Sequence, residues 1–237
     1  MFIGHFGVAL AAKKIAPRTS LGTMVLAAQF VDLIWPVFLL LGFERVLVAP
    51  GTTAVTPLDF LKYPLSHSLL ADVGWAFLFA GLYKLVRHDS AGAVCLWFVL
   101  MSHWLLDALS HQPDLPLYPG SSIYVGLGLW NSVFWTVMVE GLIFLIGARL
   151  YARATHARDR IGKFAFRSFV SFLLLIYVVN VFGPPPPSEK AVAWGSFSLW
   201  LFVLWAYWLD RHRLQGPPPR RGVLTTLGDL SEQPPPV

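Results

Sequence analysis

A single cysteine, Cys95, stands in the 237 residues, so the chain has no intramolecular disulfide framework and no cysteine-built zinc site. Charge is also scarce, at 13% of residues, against roughly 25% in a soluble globular domain. That shortage excludes an ordinary soluble enzyme. The 18 Lys and Arg outnumber the 13 Asp and Glu, for a net charge of +5, but they fall in short runs between apolar stretches rather than over one face. Nucleic-acid binding is therefore excluded. An internal repeat is lacking too, which removes support for the inverted-repeat plan of many transporters.

What is abundant is apolar sequence, 56% of the chain. A helix needs about 20 such residues to cross a hydrocarbon core of about 30 Å. Six stretches qualify, near 21–42, 65–86, 91–110, 127–150, 166–183 and 191–209. The run at 2–12 rises only about 16 Å as a helix, which makes it a half-helix or re-entrant segment. Its order, apolar and then basic, reverses that of a secretory signal peptide, so it reads as retained. The expected fold is all-α: a polytopic helical membrane protein with about six transmembrane helices plus a short N-terminal half-helix. Residues 1–210 form a single helical membrane domain and 211–237 a disordered cytoplasmic tail. Alternating sides along these spans puts 15 Lys and Arg on one side and 3 on the other. The positive-inside rule then places the N- and C-terminal basic segments in the cytoplasm and the loops 43–64, 111–126 and 184–190 outside. Pro184 to Pro187 are expected to form a stiff connector, and the 111–126 loop, with its Pro and Gly turns, to cover a site.

Ionisable residues inside a membrane cost about 2.5–3.5 kcal/mol each on the insertion scale, so each is a functional candidate. His5 lies in the half-helix, Asp32 in the first span, His67 and Asp72 in the second, His103 and Asp107 in the third and Glu140 in the fourth. At about 1.5 Å of rise per residue, His103 stands roughly 18 Å, Asp107 roughly 24 Å and Asp32 roughly 16 Å above the inner boundary. His67 enters from the outer face, and His5 reaches the same layer if the half-helix descends to Lys13 and Lys14. In SHWLLDALSH, His103, Asp107 and His111 recur every fourth residue and share a helix face. Zinc accepts neutral imidazole and carboxylate, and ligands one turn apart on a helix are a common arrangement. His103 and Asp107 are the central pair, with further ligands from His5, Asp32 or His67. Asp72 and Glu140 read as orienting groups or proton acceptors. His111, at the outer end, reads as interfacial and solvated, and the last two spans as packing or anchoring elements.

These residues resemble a family. An early His in GHFGVALAAKK, the Asp of AAQFVDLIWP, the Ser-His-Ser of YPLSHSLL and the Ser-His-x-x-x-Asp of SHWLLDALSH are similar to motifs of the bacterial membrane-bound predicted metal-dependent hydrolases, thought to be distant relatives of zinc-dependent phospholipase C. The likeness covers about the first half of the chain and implies that His5, Asp32, His67, His103 and Asp107 are metal ligands. Where that family often carries His-Arg before Thr-His-Ser, this chain has Lys62 and Tyr63, with Ser66 in place of Thr. The implied setting is the bacterial cytoplasmic membrane.

Together these readings give a membrane-embedded metal-dependent hydrolase that meets a lipid or phosphoester substrate from the outer side. Zinc suits the imidazoles best, with manganese or iron compatible and calcium or magnesium disfavoured. Two alternatives stay open. Intramembrane carboxylates and His also build metal-ion or proton transporters, and a polar cluster can serve only to fix helix packing in a non-catalytic scaffold.

Overall fold

Most helix starts are written into the sequence as caps. Ser20, Ser68, Asp89, Ser132, Asp159 and Ser188 each place a side-chain oxygen on the backbone N–H three residues ahead, which satisfies one of the unpaired donors of a first turn. The computed structural model describes residues 1–216. In chain order it runs α1 (Ile3–Ile15), α2 (Leu21–Ala28), α3 (Phe30–Leu40), β1 (Arg45–Val48), β2 (Leu58–Lys62), α4 (Leu69–Arg87), α5 (Ser90–Ser110), β3 (Leu115–Pro116) and β4 (Tyr124–Val125). There follow a 3-10 turn at Leu129–Asn131, α6 (Val133–Ala154), β5 (Thr155–Ala157), α7 (Arg160–Phe182), α8 (Glu189–Ser196), α9 (Leu199–Arg211) and β6 (Arg213–Gln215). The chain is a polytopic helical membrane protein. Among the described residues five helical segments are long and apolar enough to span, or six if the bent pair of α2 and α3 is one span.

The half-helix is α1, 13 residues long, or about 20 Å, too short to cross alone. It lies enclosed in the bundle, with Ile3, Phe6, Ala9 and Leu10 fully buried. Its crossing with α6 is backbone to backbone: a Cβ on Gly7 would lie 2.7 Å from the Ile143 carbonyl oxygen and 2.8 Å from Phe144 Cα. Gly147 faces Gly7 in the same way. Small residues let helices approach like this inside a membrane. Of the α5 apolar window 56% is buried, against 11% for α4, so α5 is central and α4 peripheral. Phe77, Leu85, Leu142, Phe164 and Leu201 face outward, as lipid-facing residues do.

Several expectations need correction. The span near 21–42 is broken at Gln29, where α2 and α3 meet at 51°. His67 lies outside α4, immediately before its cap Ser68. The last span is α8 and α9 joined through Phe197 and Ser198, together 23 residues. The loops 43–64 and 111–126 hold short hairpins, β1 with β2 and β3 with β4, where plain loops were expected. The tail expected over 211–237 begins in regular structure: Arg211 closes α9 and β6 pairs with β5. Residues 217–237, with Arg220 and Arg221, lie outside the described residues.

Candidate metal centre

α1, α3 and α5, with the turn ahead of α4, bring His5, Asp32, His67, His103 and Asp107 to one place. One ligand atom each from His5, His103 and Asp107 lie within 4.8 Å of one another, and so do those of Asp32, His67 and His103. His103 Nε2 is 3.0 Å from Asp107 Oδ2 and 3.7 Å from Asp32 Oδ2. His67 Nε2 is 3.3 Å from Asp32 Oδ1 and 3.8 Å from Asp107 Oδ2, and His5 Nε2 is 3.2 Å from Asp107 Oδ1. The Met1 amino group also contacts Asp107 Oδ1. Both triads include His103, whose Nδ1 is engaged by the Ala28 carbonyl. A neutral imidazole has one lone pair to give, so the two describe one cluster and not two independent sites.

The ring orientations explain why these nitrogens face inward. His103 Nδ1 is 2.7 Å from the Ala28 carbonyl, the last of α2, which the bend at Gln29 presents to α5. Irregular backbone at membrane depth is tolerated where it serves such a cavity or contact. His67 Nδ1 is 2.6 Å from Ser66 Oγ, and Ser66 Oγ–H donates to Glu44 Oε2 at 2.7 Å. In both rings Nδ1 donates outward and Nε2 is turned toward the carboxylates, the usual outer support of a metal-binding histidine. Trp104 Nε1 fixes the His67 backbone by donating to its carbonyl at 3.1 Å. His5 stacks on His103 with ring centroids 3.7 Å apart and planes 3° from parallel.

His103 Nε2 is buried and makes no hydrogen bond within geometric limits among the described residues. Three imidazoles and two carboxylates that converge in this way are a donor set that a metal ion satisfies, and these residues can hold one.

The cluster floors a cavity of about 640 Å³, within the range of about 300–1,000 Å³ common for small-molecule sites. Asp32, His67 and Asp107 reach its wall, with Glu140 and His111 beside them. Glu140 Oε2 accepts from the backbone N–H of Phe2 at 2.9 Å and of Gly4 at 3.5 Å, so it closes the open start of α1. Asp72 is fully buried outside that wall, and both its oxygens lack hydrogen-bond partners among the described residues. Of the 111–126 loop, only His111 borders the cavity. Its cover comes instead from the β1–β2 connection and Pro184 to Pro186. The last two spans, expected only to pack, supply wall residues Ile176, Tyr177, Asn180, Val192 and Leu199.

Two features escaped the sequence. Glu44 reads as an ordinary loop charge, yet it is 2% exposed and accepts from Leu65 N, Ser66 N and Ser66 Oγ. Nothing in its spacing marks it. His111, expected to be solvated, is 3% exposed, with Asp114 and Tyr63 at its Nδ1. The Asp three residues after it in HQPD was the available signal. Comparison with protein-family models, curated proteins and solved structures finds no match.

Proposed function

We propose that this chain is a membrane-embedded metal-dependent hydrolase that holds zinc through His103, Asp107, His67, Asp32 and His5 and cleaves a lipid or phosphoester substrate. The observation that carries the reading is the pair of anchored rings: His103 on Ala28 and His67 on Ser66 both turn Nε2 toward two carboxylates at the floor of the cavity. Zinc held by these residues would lower the pKa of a coordinated water from 15.7 to about 7 and would polarise an ester oxygen. Glu140, at the cavity wall, takes the water's proton. Asp72 lies away from that wall and takes no part in this step. The apolar upper wall suits the non-reacting part of a lipid. The resemblance to the bacterial membrane-bound hydrolases agrees with this reading, as does a cytoplasmic-membrane setting with the cavity opening outward.

Transport is less favoured. Toward the Lys13 end of the bundle, α1 and α5 present Phe6, Leu10, Leu96 and Val99, all apolar and buried, where an ion pathway would need polar groups.

The test is elemental analysis of protein purified in mild detergent, beside a folded His103→Ala, Asp107→Ala double variant. About one zinc per chain in the wild type and none in the variant is expected. Absence of metal from both, even after zinc is offered, would overturn the proposal in favour of a structural cluster.

A further inference from the structure

We infer that His111 is the proton donor to the leaving group, set in place by Asp114 and Tyr63. The inference rests on the hydrolase reading above and adds a second chemical group to that site.

His111 follows Asp107 by one turn at the end of α5, about 6 Å further along the axis. It borders the same cavity. Its Nδ1 lies 3.1 Å from Asp114 Oδ1, and the Tyr63 hydroxyl donates to that same oxygen at 2.5 Å. Tyr63 is itself 2% exposed. Burial, with the Asp114 carboxylate beside it, pushes its phenol well above the ordinary range and keeps it a donor. The carboxylate thus accepts Nδ1–H and leaves Nε2 as the nitrogen available to the cavity. The ring is held between Trp130, at 4.3 Å, and Phe60, at 4.8 Å between centroids. A histidine needed only for packing requires neither a carboxylate on Nδ1 nor a phenol to hold that carboxylate. Carboxylate, imidazole and open nitrogen in this order make an acid–base group.

With a phosphate ester, one water is added across the bond from phosphorus to the ester oxygen. The oxygen of water forms a bond to phosphorus and its proton passes to Glu140. The bond from phosphorus to the ester oxygen breaks, and its electron pair stays on that oxygen. His111, doubly protonated at the start of the cycle with Nδ1–H on Asp114, delivers its Nε2 proton there, releasing an alcohol and leaving a neutral imidazole. Solvent then carries the Glu140 proton back to His111, and one water has been consumed.

A proton donor matters most when the leaving group is a poor one. Zinc-loaded protein in detergent is given two phosphodiesters that differ only in the leaving group, one alkyl alcohol and one 4-nitrophenol. The His111→Gln variant is expected to lose about a hundredfold or more on the alkyl ester, and at least ten times less on the nitrophenyl ester. Asp114→Asn should show the same bias more weakly, with zinc per chain unchanged in both variants. Equal losses on the two esters, no loss on either, or loss of zinc from folded His111→Gln protein would overturn the inference. So would a wild type that cleaves the nitrophenyl ester alone, although the hydrolase reading then stands. A zinc-loaded wild type inactive on both overturns the two together.

Discussion

At the scale of single residues, the five cluster groups were legible because a membrane makes every ionisable side chain conspicuous. His5, Asp32, His67, His103 and Asp107 needed only helical rise and alternating topology to be placed at one depth, and the structure joins them. Glu44 was not legible, since its partner Ser66 is 22 positions away and the approach is made by the pairing of β1 with β2 between them. Its role is nevertheless testable. Glu44→Gln retains the shape but weakens the acceptor for Ser66 Oγ, and Ser66→Ala removes the link to His67. Outer supports of this kind are worth about 10–100-fold in metal affinity. Both variants are expected to keep zinc when it is saturating and to lose it about 10–100-fold more readily to a competing chelator. Unchanged affinity in both would mean that His67 is oriented by Trp104 and packing alone.

At the scale of elements, hydropathy found the long spans and missed the break at Gln29. A bent helix keeps the composition of a straight one, and only the tertiary demand of His103 for the Ala28 carbonyl reveals why the bend is useful. The short hairpins were hidden for a related reason, because pairs two to five residues long carry too little alternation to read. α1 shows the converse: its brevity was legible, its burial was not, and the decisive residues are glycines. Gly7→Ala would drive a Cβ into the α6 backbone, where no side chain can give way. Overpacking of this kind costs about 1–3 kcal/mol, and the same shift would displace His5 two residues earlier. Gly141, on α6 with nothing within 4 Å of its would-be Cβ, is the control. Unfolding in detergent should show Gly7→Ala destabilised and weaker in zinc binding, with Gly141→Ala neutral or more stable, since alanine is the better helix former. Equal stability of the two variants would remove the close crossing from the account of how the cluster is held.

At the scale of the whole molecule, charge and cavity lie at opposite ends. Lys13 pairs with Asp210 at 3.0 Å, and the Arg213 guanidinium binds the Thr155 carbonyl and lies over the Phe166 ring, so α1, α6, α7 and α9 gather their basic residues at one end. The hairpin of β1 and β2, His111 and the cavity gather at the other, where Lys and Arg are few. Cations are retained on the cytoplasmic side, and the orientation predicted on that rule has the cavity opening away from the cytoplasm. Cysteine labelling reads it directly, because the single native thiol, Cys95, is buried. In a Cys95→Ala background, Ala54→Cys places an exposed thiol by the cavity mouth and Arg158→Cys one at the basic end. A membrane-impermeant maleimide is expected to label Ala54→Cys in intact cells and Arg158→Cys only after permeabilisation. The reverse pattern would leave the metal cluster standing but turn its cavity to the cytoplasm. Any substrate would then have to come from the inner leaflet or the cytosol, because the apolar packing of Phe6, Leu10 and Leu96 separates the cluster from the basic end of the bundle.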